Sequence, residues 1–139
     1  MSVQVARFLT EAEFQQRSAD ANLTPYEIAQ DPKRYAIATV LAAANLASSG
    51  RAGVTAKLIQ NIQNPDSGVR YWAVVGVLIR GATEVKRARA ALVQALKDPA
   101  PSVQIAAAEA LGRFGHEATD IDHAMGVLLK LSNCIDTNA

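Results

Sequence analysis

The sequence predicts an all-α protein: an α-solenoid of stacked helical hairpins, wound as a right-handed superhelix, with extra N-terminal helices. Three observations carry that reading. Half of the 139 residues are apolar but only 5% are aromatic, and 27 are alanine, so the hydrophobicity resides in small side chains suited to closely packed helices. Sliding the chain on itself at an offset of 34 brings Leu58, Ile62, Pro65, Val69, Ala73, Val77 and Gly81 onto Leu92, Leu96, Pro99, Val103, Ala107, Leu111 and Gly115. A period of this length is the mark of a stacked repeat. Within each unit apolar residues recur at three and four, first over 54–62 and again over 69–79, with a proline between them.

Taken in chain order, residues 1–30 carry two helix starts. Thr10 with Glu13 forms a capping box flanked by Leu9 and Phe14, and Thr24, Pro25 and Glu27 repeat it, flanked by Leu23 and Ile28. Two short helices are expected there as the N-terminal cap of the stack, because a terminal unit needs one face finished differently. Residues 31–131 are the repeats, about three helix pairs and a closing helix. The run 35–50 has no charge, falls short of the roughly 18 apolar residues of a membrane span, and reads as a helix buried in protein. Its Ala42, Ala43, Asn45 and Leu46 form a weaker copy of Ala107, Ala108, Ala110 and Leu111. Pro65 and Pro99 break each pair, since the ring cannot continue the preceding helix and Asn64 and Asp98 are pushed off helical geometry. Gly81 and Gly115 are expected to close the second helices in left-handed conformation. Thr119 is expected to cap a last helix to about Leu131, with Asp120 and Asp122 favoured by the helix dipole in its first turn; residues 132–139 are expected to fray.

Composition narrows function. A net charge of +1 gives no global attraction to a polyanion. Cys134 is the lone cysteine, which removes an intramolecular disulfide framework and weighs against a cysteine-based zinc site. Arg7, Glu11 and Glu13 interrupt the N-terminus where a secretory peptide would be apolar, so a cytoplasmic location is expected, with no membrane association.

The run 103–115 (Val-Gln-Ile-Ala-Ala-Ala-Glu-Ala-Leu-Gly-Arg-Phe-Gly), preceded by Asp98-Pro99, resembles the second helix of a HEAT repeat of the type found in phycobilisome-lyase-like proteins. Arg70 matches the arginine of that pattern, and Gln104 departs from it. A narrower likeness joins Asp31-Pro32-Lys33-Arg34-Tyr35, the run 66–73 and the run 102–115 to the helical C-terminal extension of some bacterial sulfatases. That likeness implies the non-catalytic appendage alone. Sulfatase chemistry needs a Cys or Ser in a Cys/Ser-X-Pro-X-Arg context, and Cys134 is followed by Ile135, Asp136 and Thr137.

The family pattern makes the variable positions of the second helices the working surface. Here these are Tyr71, Trp72, Val75 and Ile79 in one unit and Ile105, Ala106, Glu109 and Arg113 in the next. The first set is apolar throughout. Tyr71, Trp72, Val75, Ile79 and Ile105 are therefore the partner-binding candidates, docking another protein or a second copy in a homodimer. The competing reading is that the N-terminal helices fold back over Trp72. Arg80, Lys86, Arg87 and Arg89 cluster at one turn, but Glu84 stands among them and no aromatics interleave, so a solvated helix face is favoured over nucleic-acid binding. His116 and His123 with Glu117, Asp120 and Asp122 read as the polar start of the last helix rather than a metal site, and Cys134 as an idle thiol. No catalytic constellation and no cofactor motif is legible. A non-catalytic interaction or scaffolding module is the expectation, the alternatives being an accessory domain of a sulfatase-like hydrolase and a nucleic-acid-binding protein.

Overall fold

A computed structural model describes residues 10–18 and 23–136. Among them are eight helices and no strand: α1 Glu11–Ser18, α2 Pro25–Gln30, α3 Ile37–Ser48, α4 Thr55–Asn61, α5 Ser67–Ile79, α6 Ala82–Ala95, α7 Pro101–Phe114 and α8 Ala118–Asp136. Leu9, the last three residues and the Cys134 side chain lie outside the described residues. The fold is the expected all-α solenoid. Helices α4 and α5 form one hairpin and α6 and α7 the next, with breaks at Pro65 and Pro99.

The second helices α3, α5 and α7 stack side by side, and α8 lies along α7. Small residues set how closely they approach. A Cβ on Gly76 would come within 3.0 Å of the Ala47 Cα and 2.9 Å of Leu58, and one on Gly68 within 3.2 Å of Val40. Because the early residue Val40 meets Gly68 and the late residue Ala47 meets Gly76, α3 and α5 run parallel. The main core fills the space between first and second helices with Leu58, Val74, Val77, Val85, Leu92, Val103 and Leu111, packed against Ala107, Ala108 and Ala110. Each fully buried aliphatic side chain stabilises the fold by about 1.5 to 3 kcal/mol.

Charged side chains tie successive units together. Asp66 caps α5 by accepting from the Gly68 and Val69 amides, and Arg17 of α1 donates to its other oxygen at 2.8 Å. Arg70 holds Asp98, whose Oδ1 accepts from the Ala100 amide at the start of α7. Arg89 holds Asp120 in the first turn of α8. Gln104, which stands where the repeat pattern has arginine, turns back and donates to the Asp98 carbonyl instead.

The N-terminal helices dock at the α3–α5 end. Both expected capping boxes are present, on Thr10 with Glu13 and on Thr24 with Glu27. Glu13 does a second job, because its other carboxylate oxygen accepts from the Ser67 amide at 2.9 Å and so joins α1 to the start of α5. Burial pushes the Glu13 carboxyl upward, but the donors of Thr10 and Ser67 together outweigh it and hold it below the usual range. Phe14 and Leu23 pack on a second apolar cluster of Ile28, Tyr35, Val40, Ala43 and Val69.

Several local expectations are corrected. Gly81 has φ +83° as expected, but Gly115 is extended at φ −64°, ψ 140°. Glycine serves there because a Cβ would stand 2.3 Å from the Leu111 carbonyl oxygen. Helix α8 begins at Ala118, with the Glu117 carbonyl accepting from Asp120 and Ile121, so Thr119 is already inside it. It also runs past Leu131 to Asp136, since Ala124, Leu128, Leu131 and Ile135 keep the three-and-four spacing and no proline interrupts them. The uncharged run yields α3, which is buried on one side only, through Val40, Ala43 and Ala47.

Candidate interaction surface

The surface is built on the second helices, on the side that α4 and α6 leave uncovered. Val40 points from α3 to Gly68 of α5, and Arg70 points from α5 to Asp98 before α7. The next residue along each helix turns about 100° to the same side, which places Leu41 and Tyr71 in one row. Ile105 extends it, lying one repeat beyond Tyr71. Leu41 is 56% exposed and Ile105 41%, while Tyr71 is half-buried against the core. Leu41 was hidden in the sequence because the linker before α4 departs from the 34-residue spacing.

The other expected residues separate. Trp72 turns toward the N-terminal end, packed half-buried on the cluster of Ile28, Tyr35, Val40, Ala43 and Val69. Tyr71 meets it edge-on, with ring centroids 5.4 Å apart and planes at 74°. Val75 is half-buried against the main core, and Ile79, at the end of α5, is 59% exposed. Of the five candidates, Ile79 and Ile105 are largely exposed, whereas Tyr71, Trp72 and Val75 are half-buried. Beside them Glu109 and Arg113 pair at 3.1 Å on the surface of α7.

Three members of the basic cluster have partners within the chain. Arg80 donates to the carbonyls of Ala47 and Gly76, both at 2.7 Å, and to that of Ser49, and so closes the C-terminal end of α3. Arg87 pairs with Glu84, and Arg89 with Asp120. His116 and His123 are both exposed. Among the described residues no group of three His, Cys, Asp or Glu is placed to hold a metal ion. No helix among them is long and apolar enough to cross a membrane.

A second concave feature lies at the far end. Helix α8 follows α7 and leaves a groove of about 400 Å³ beside the end of α6, walled by Val93, Leu96 and Val127 and rimmed by Lys97, Asp122 and Lys130.

Stacked hairpins with an open face on their second helices define a repeat protein of the α-solenoid class, which works through extended surface. The chain matches the HEAT repeats family over residues 55–130, more than half its length, and belongs to that family. HEAT repeats generally mediate protein interaction or scaffolding, and the family is typically non-catalytic. No curated protein and no solved structure matches the chain.

Proposed function

We propose that this protein is a non-catalytic docking module whose partner is another protein, held on the uncovered face of α3, α5 and α7. The observation that carries it is the exposure of Leu41, Ile79 and Ile105, large aliphatic side chains on stacked helices whose opposite side is filled by core. Apolar surface of this kind favours a partner presenting its own apolar side chains. Half-buried Tyr71 and Val75 lie behind that face and shape it, and Trp72 supports it by fastening the N-terminal cluster.

The test is a photo-crosslinking amino acid placed at Ile105, with Lys57, an exposed residue of α4, as control. One discrete adduct from position 105, absent from position 57 and lost in an Ile79→Glu background, is expected. Equal labelling from both positions would sink the reading.

Two other readings stand behind it. The motifs that resemble the sulfatase extension are used here for building, as Asp66 caps α5 and Asp31 pairs with Arg34, so that likeness supports an accessory scaffold beside a hydrolase and supplies no chemistry. Co-purification with a hydrolase subunit would favour it. Nucleic-acid binding is weakened by the internal engagement of Arg80, Arg87 and Arg89, and a salt-dependent shift of a DNA probe would revive it.

A further inference from the structure

Helix α8 presents an outward face that its own chain leaves uncovered. Met125 is 50% exposed and Leu129 60%, and beside them Asp122, Gly126 and Lys130 are exposed along the lip of the groove at the end of α6, which Lys97 shares. Glycine is the poorest helix former after proline, yet nothing inside the molecule demands it at 126: a Cβ there would meet no atom within 4 Å, and no positive φ is required. Two charges flank it symmetrically, Asp122 four residues before and Lys130 four after. They are about 12 Å apart along the axis and out of each other's reach. Neither has an ion-pair partner among the described residues, and Gly126, the position four residues from both, can supply none.

We infer that α8 is the interface of a symmetric homodimer, in which two copies of this helix pack antiparallel with Gly126 at the crossing. A two-fold axis beside Gly126 carries Asp122 of one copy to the level of Lys130 of the other, and the reverse, so two equivalent ion pairs close the seam. The same operation gathers both Leu129 side chains on one side of the crossing. An isologous contact needs a surface complementary to itself, and the spacing acid, glycine, base at four and four has that property only in the antiparallel sense. The missing Cβ lets the two backbones approach. This places self-association at the α8 end and leaves the face of Leu41, Ile79 and Ile105 free for a different partner.

The test is sedimentation of the full chain over a concentration series, with four proteins compared: wild type, Asp122→Lys, Lys130→Asp and the double reversal. Wild type is expected to dimerise. Each single reversal sets like charges against each other and should raise Kd roughly tenfold or more, while the double variant restores opposite pairs and should return to within about threefold of wild type. Gly126→Leu should abolish the dimer while far-ultraviolet circular dichroism stays helical, since its side chain would enter open space in the monomer. A wild type that is monomeric throughout, a dimer indifferent to either reversal, or a double variant as weak as the singles would each overturn the proposal.

Discussion

The Arg70 guanidinium grips the Asp98 carboxylate with two bonds, Nε to Oδ2 at 2.8 Å and Nη2 to Oδ1 at 3.0 Å, and thereby ties the start of α5 to the start of α7. Both groups are nearly buried, and the remaining Arg70 nitrogen donates to the Asn64 and Pro65 carbonyls at the break within the hairpin. Removing one partner of such a pair leaves the other without compensation. Arg70→Ala is therefore expected to cost about 3 to 5 kcal/mol in urea unfolding, and Arg70→Lys less, because it keeps the charge but loses the fork. A loss below about 1 kcal/mol for the alanine variant would show the pair to be solvated.

What was readable in the sequence follows from the range of each interaction. The capping boxes at Thr10 and Thr24 and the breaks at Pro65 and Pro99 depend on residues a few positions apart, and pattern alone reveals them. Sequence position alone groups Arg80 with its basic neighbours, because the carbonyls it serves, Ala47 and Ser49, arrive from more than thirty residues earlier. Trp72 and Tyr71 are adjacent on one helix, but only the docking of α1 and α2 decides that Trp72 faces the N-terminal cluster. At Gly115 the residue type was a correct signal with the wrong cause, since close approach to the Leu111 carbonyl leaves as little room for a side chain as a left-handed turn does.

Packing between second helices gives the next expectation. Ala47 backbone lies against Gly76, and backbone cannot yield as a side-chain tip can. Gly76→Ala gains about 1 kcal/mol in helix propensity but overpacks the contact, for a net loss of about 1 to 2 kcal/mol in thermal or urea melts. Ala107, fully buried in the core, should lose about 1 to 3 kcal/mol on replacement by Leu. Stabilisation in both variants would mean that the helices stand further apart than the structure has them.

The N-terminal docking should be sensitive to acid. Glu13 is held below its usual range in the folded state, so the undocked or unfolded chain binds the proton first as pH falls. Its contribution is fully present above the ordinary glutamate range and is lost as pH drops through the lower folded value. Trp72, the one tryptophan, reports on the cluster that Phe14 helps to cover. Its emission should move to the red as pH is lowered through that window, and Glu13→Gln should be red-shifted already at neutral pH with a flatter acid limb. An unchanged neutral spectrum and acid limb in Glu13→Gln would place the titration elsewhere.

The four clustered basic residues should differ sharply in what they contribute, although sequence position makes them look alike. Arg80 serves carbonyls at the end of α3 and one on its own helix, a set of charge-assisted bonds each of the kind that contributes about 1.5 to 3 kcal/mol, and its loss leaves those acceptors short of a donor. Arg89 is itself half in solvent, but its partner Asp120 is buried, so Arg89→Ala should destabilise through the stranded carboxylate. Arg87 is exposed and pairs within one turn with Glu84, and Lys86 is exposed with no ion-pair partner among the described residues. Alanine substitutions at these two should be close to silent. The expected order of destabilisation in urea is Arg80, then Arg89, then Arg87 and Lys86 together. A common phosphate-binding role would instead make all four indifferent to stability and alike in their effect on a polyanion, so equal, negligible losses across the set would contradict the structural assignment of Arg80 and Arg89.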